Sequence, residues 1–179
     1  LRVNFMSESE NTGDNGQAQD ADRAQVQFRI ERVFLKDSSF ESPNSPEVFI
    51  KQWRPEIKVD INTRATGLGE DLQEVILSAT VTATLEENMV AFIVEIQQGG
   101  IFLIQGAEPN QLSQIIGIAC PNTLFPYLRE AMDNLVVKGG FPPLQLAQVN
   151  FEALYVKALQ EHEKASEAEQ KDDSDVTTH

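Results

Sequence analysis

Between Val75 and Leu85 the chain alternates without a break. Val75, Leu77, Ala79, Val81, Ala83 and Leu85 fall on one side, and Ile76, Ser78, Thr80, Thr82 and Thr84 on the other. A period of two is that of a β-strand, whose successive side chains point to opposite faces. One side is apolar and the other is mostly hydroxyls, so the strand belongs to an antiparallel sheet covered on one face only. Its neighbours are legible by the same rule. Val26, Phe28 and Ile30 alternate with Gln27, Arg29 and Glu31 before an apolar run at Val33, Phe34 and Leu35, which points to a bulge or twist in a first strand. Ser42-Pro43-Asn44-Ser45-Pro46 reads as a loop, and after Pro55 a second strand sets Ile57, Val59 and Ile61 against Lys58, Asp60 and Asn62. Thr66-Gly67-Leu68-Gly69 is expected to break that run. Glu86-Glu87-Asn88 is a hairpin loop, and Val90 to Gln98 return as a fourth strand with Phe92, Val94 and Ile96 facing the core. Ile93 and Glu95 then share the wet face.

After Gly99-Gly100 the pattern is expected to change to helix. Leu112, Ile115 and Ile116 are at helical spacing within Pro109 to Ala119, Cys120-Pro121 is expected to interrupt, and a second helical piece runs from Asn122 to Lys138 before Gly139-Gly140. Pro126 sits near its start, where a missing N–H costs little. Phe141 to Val149, with two adjacent prolines, reads as an extended crossover, and Asn150 caps a last helix with Phe151, Leu154, Tyr155, Ala158 and Leu159 on one stripe. Strands first and helices afterwards give an α+β fold: a four-stranded antiparallel sheet with helices packed on one face. The domain is expected over residues 25–160, between a disordered polar segment at 1–24 and a flexible acidic tail at 161–179.

Charge excludes several classes of function. The 179 residues carry 28 Asp and Glu against 14 Lys and Arg, a net charge of -14. Such a surface repels nucleic-acid phosphates and anionic lipids and attracts basic partners. The acids are not confined to the ends, since residues 25–156 hold 16 acids and 9 bases. No apolar run approaches the ~20 residues a membrane helix needs, and no basic-then-apolar signal is present, so membrane insertion is not expected and the cytoplasm is. The single cysteine agrees with a reducing compartment.

Nothing in the sequence gathers catalytic chemistry, and no enzyme activity, metal or cofactor is expected. The two histidines are His162 and the terminal His179, neither with a cysteine or second histidine at metal spacing. Cys120 has no neighbouring base and precedes a proline in an apolar region, the setting of a structural thiol. Gly99-Gly100 lacks the rest of any phosphate-binding fingerprint. A binding protein is the reading that remains.

At Ser39-Phe40-Glu41-Ser42-Pro43-Asn44 the sequence begins to resemble the SecB protein-export chaperones of bacteria. The likeness strengthens at Glu95-Ile96-Gln97-Gln98-Gly99-Gly100-Ile101-Phe102. It is strongest at Cys120-Pro121-Asn122-Thr123-Leu124-Phe125-Pro126-Tyr127-Leu128-Arg129-Glu130. Phe141 to Leu146 and Val149-Asn150-Phe151 complete it. It covers roughly Val26 to Leu159, and departs at Gln148, where the family usually has proline, and over Gln111 to Ile118.

The resemblance implies a homotetramer, a dimer of dimers, that holds unfolded precursor proteins in the cytoplasm. It implies delivery of them to the SecA motor without ATP, metal or organic cofactor. By the family's layout the client surface includes Trp53, the second strand (Ile57, Val59, Ile61), the crossover (Phe141, Leu144, Leu146) and the last helix (Phe151, Leu154, Tyr155). Each of these also has a plain reading as core, and Phe151 and Leu154 as packing between protomers. SecA is implied to dock on the acidic face at Asp37, Glu41, Ile93 and Glu95, and its basic zinc-binding module on the extreme tail. The same fold dedicated to a toxin–antitoxin partner is the alternative. An acidic nucleic-acid mimic would need regularly spaced carboxylates, whereas the third strand's outer face is Ser and Thr, and a small enzyme would need an acid–base pair.

Overall fold

The computed structural model describes residues 26–161. The segment expected to be disordered at 1–24, and the tail beyond residue 161, lie outside the described residues. Four strands form one antiparallel sheet in the order β1-β4-β3-β2: β1 (Gln27–Glu41), β2 (Glu56–Gly69), β3 (Leu72–Thr84) and β4 (Val90–Gln105). The apolar side of β3 is the core, with Val75, Leu77, Ala79, Val81 and Ala83 at 2% exposure or less. Phe92, Val94 and Ile96 join it from β4, as the alternation requires.

Two strands run further than their sequence suggests. β4 does not end before Gly99-Gly100 but continues to Gln105. The glycines leave room for aromatic rings: a Cβ on Gly99 would lie 2.5 Å from the Phe34 ring on the outer face, and one on Gly100 would lie 2.6 Å from Phe102 in the core. Likewise Thr66 to Gly69 stay within β2, and the hairpin turns at Glu70-Asp71, where Asp71 takes a positive φ of 63°. The irregularity expected in β1 is present as register shifts at Ile30/Arg32 and Leu35/Asp37.

Helix α1 (Pro109–Gln114), a π turn (Ile115–Ala119) and α2 (Cys120–Lys138) form one continuous run rather than two pieces broken at Cys120-Pro121. The π turn explains the continuity. Cys120 N–H reaches back to the carbonyl of Ile115, so the ladder has already slipped by one residue where Pro121 has no N–H to give. α2 lies over β3 and β4 and buries Leu124, Leu128, Met132 and Val136. It closes at Gly139-Gly140, where Gly140 takes φ 87° and Phe141 N–H bonds to the Val136 carbonyl at 3.2 Å. The crossover follows, and a last helix, α3, covers 151–161. Tyr155 of α3 seats on the π turn, where a Cβ on Gly117 would lie 2.4 Å from its ring.

Candidate functional site: an apolar groove and an acidic face

The sheet's inner face is only partly covered, and the uncovered part is apolar. β2 is an edge strand that α2 covers only sparsely, so Ile57 and Val59 stand 38% and 41% exposed while Ile61 is half-buried. Across from them run the crossover and α3. A hollow of about 320 Å³ lies between, lined by Val59, Ile61, Phe125, Leu146, Val149 and Leu154. A second, of about 540 Å³, shares Ile61 and Leu154 and extends over Ile116, Gly117 and Tyr155. Together they make one groove along the sheet edge.

The crossover is held in place at both ends. Phe141 is buried, Leu144 donates its N–H to Asp133 Oδ1 at 2.8 Å, and Asn150 Oδ1 accepts the N–H of Ala153 at 3.0 Å, the cap read from sequence. Phe151 is 2% exposed and meets Phe125 edge-on with ring centroids 5.7 Å apart, so it anchors α3 while Leu154 faces outward.

Aromatic rings gather at the far end. Trp53 lies 5.5 Å from Phe141 and 6.4 Å from Phe92, with Phe49 5.0 Å from Phe141. Phe49 escaped the sequence reading. It sits in a single 3₁₀ turn (Glu47–Ile50) whose run Val48-Phe49-Ile50 was the available signal. Trp53 and Phe49 are surface rings backed by the buried Phe92 and Phe141.

On the outer face the register brings together the four residues expected to dock a partner. Glu41 of β1 is opposite Ile93 of β4, Ser39 opposite Glu95, and Asp37 opposite Gln97. Glu95 is exposed, Ile93 is half-buried, and Thr80 donates to Glu95 at 3.4 Å. These side chains form an apolar centre rimmed by carboxylates.

No group of three or more His, Cys, Asp or Glu gathers to hold a metal ion among the described residues. His162 and His179 lie outside them. Cys120 is buried, and burial pushes its thiol up to about 12, so it is protonated and inert at neutral pH.

The sequence profile of the family described as preprotein translocase subunit SecB matches residues 21–162. The protein-export protein SecB of Pseudomonas paraeruginosa is 52% identical over 139 residues, which cover 78% of this chain and 85% of the relative. That of Ectopseudomonas mendocina is 47% identical over 163 residues, 91% of this chain and 98% of the relative. Among solved structures, a Mycobacterium tuberculosis SecB-like chaperone, in complex with an antitoxin peptide, is similar in fold. Its TM-score is 0.56 at 13% identity, covering 68% of this chain and 90% of that one.

Proposed function

This chain belongs to the SecB family and is a protein-export chaperone, and we propose that it holds unfolded precursors along the apolar groove and passes them to SecA at the acidic face. The observation that carries the reading is the exposed apolar edge of β2 above the crossover. An unfolded chain is recognised by what all such chains share, exposed apolar side chains and free backbone. Each large side chain buried yields ~1.5–3 kcal/mol, so one contact is weak. A series of linked contacts reaches useful affinity through effective concentration. The client residues are Trp53, Ile57, Val59, Ile61, Leu144, Leu146, Leu154 and Tyr155, with Phe141 and Phe151 supporting them from below.

The inner side of β1 supports assembly as a dimer of dimers. Phe28, Ile30 and Leu35 are 40%, 44% and 52% exposed on a strand that α2 covers little, and a second copy would bury them. The outer face suits a basic partner, and we place the SecA contact at Asp37, Glu41, Ile93 and Glu95. The work is done in the cytoplasm without nucleotide or cofactor. Export duty is favoured over a toxin–antitoxin one because the relatives near 50% identity are protein-export proteins.

The test is capture of a reduced, unfolded precursor by calorimetry. Val59→Ser with Ile61→Ser should weaken capture about tenfold while circular dichroism and oligomer mass stay unchanged. Unchanged affinity would remove the groove from the client surface.

A further inference from the structure

The outer face of the sheet is electrically uneven: one half is acidic, and the other mixes Arg29, Arg32, Lys36 and Arg64 with Glu31, Glu74 and Asp71, the last accepting from Gln105 at 2.9 Å. Beyond Asp37 and Gln97 the next outward row, read across β1, β4, β3 and β2, is Phe34, Gly99, Ile76 and Arg64. The row after it carries Arg32, Ile101 and Glu74. Ile76 is 1% exposed although it stands outside the inner core, and Phe34 lies over Gly99 directly opposite it. Lys36 is neutralised by Glu74 at 3.0 Å, and Arg29 pairs with Glu31. Arg32 and Arg64 are exposed and have no ion-pair partner among the described residues. Two cations without an ion pair among the described residues therefore stand on a half-apolar floor, in a chain of net charge -14.

The described chain ends beside this half. Glu161, the last residue of α3, lines the same hollow as Thr63 and Ala65 on the inner side of β2. Arg64, between those two, points to the outer side of the same edge strand. Residues 162–179 follow, with Glu163, Glu167, Glu169, Asp172, Asp173 and Asp175 against Lys164 and Lys171. A chain of that length reaches ~60 Å when extended. Stepping over the edge from β2 to β1 needs only ~14 Å. We infer that residues 162–179 fold over the β2 edge and dock on the basic half of their own chain's outer face, with Asp172, Asp173 and Asp175 facing Arg64 and Arg32.

Exposed ion pairs are individually weak and screened by salt. Tethering supplies what they lack, since a short flexible link gives an effective concentration near millimolar. The docked tail covers two cations that would repel a basic partner and makes the outer face acidic from end to end. The contact stands on charge and chain geometry alone and does not depend on what the groove carries.

Photo-cross-linking tests it in the full chain. Asp173→Cys labelled with a benzophenone maleimide places the probe in the tail, because Cys120 is buried and protonated. Cross-links should concentrate on the segments containing Phe34 and Arg64. They should fall about tenfold in Arg32→Glu with Arg64→Glu, and similarly in about 0.5 M salt. Asp172→Lys with Asp175→Lys alters only the tail and should lose the same products, which separates loss of docking from loss of fold. Cross-links scattered over the surface, confined to the inner face, undiminished in both variants, or formed only between heavy and light chains of an isotope-mixed sample would overturn the proposal.

Discussion

Gly99 and Gly100 are neighbours whose missing side chains serve opposite faces. The space above Gly99 holds the half-buried Phe34 ring, and a Cβ on Gly100 would lie 2.6 Å from Phe102 and 2.9 Å from Leu124, both fully buried. A surface ring can swing aside, whereas a packed core cannot. Gly100→Ala should therefore cost about 2–3 kcal/mol and Gly99→Ala about 1, read from urea unfolding of the two variants. Equal costs would mean that Phe34 is held as rigidly as the core. The sequence misled here because adjacent glycines usually mark a turn, and the ring that explains Gly99 is far away along the chain. Alternation did assign Ile93 and Glu95 to the wet face, because facing needs only a period of two.

The strands were legible as elements and the connections less so. β3 and the hairpin into β4 follow from local pattern, and the helix stop at Gly139-Gly140 from glycine's tolerance of positive φ. The continuity through Cys120-Pro121 was not legible, since a π turn has no sequence signature and declares itself only in the ladder. Nor was the tie between Asp133 and Leu144 N–H, which joins α2 to an extended segment beyond it. That tie makes a prediction. Asp133→Ala leaves the amide of Leu144 without its charged acceptor and should speed its hydrogen exchange about tenfold, with α2 itself unchanged. Asp133→Asn keeps an acceptor oxygen and should restore most of the protection. If both variants exchange like the parent, the crossover is held by Phe141 and Leu146 alone.

At the scale of the whole molecule, the proposed function assigns two kinds of contact to one sheet: apolar capture on the inner side, charge-guided docking on the outer. Glu95→Lys or Asp37→Lys should abolish SecA binding and leave capture of an unfolded precursor intact, measured by calorimetry against each partner. Docking of the parent should weaken steeply with salt and capture only modestly, because carboxylates on a surface are screened within ~8–10 Å and apolar burial is not. Equal loss of both activities in Glu95→Lys would end the two-surface description. Light scattering at micromolar concentration should give about four times the 19.9 kDa chain mass, and a monomer throughout would leave Phe28, Ile30 and Leu35 without their cover. The shared outward facing of Ile93 and Glu95 was visible in sequence through alternation, and the docking role proposed for them came from family likeness. The basic half was not, since only the register sets Arg32 and Arg64 on one floor. Cys120 carries a last consequence. It is the chain's one cysteine, and a thiol held at about 12 keeps its proton up to strongly alkaline pH. Since the folded value lies above the ordinary 9.0, its share of stability is whole below pH 9 and is lost progressively between pH 9 and about 12. A thiol that is both buried and protonated is a poor partner for thiol–disulfide exchange. At neutral pH the chain therefore presents a cysteine-bearing client with no reactive thiol.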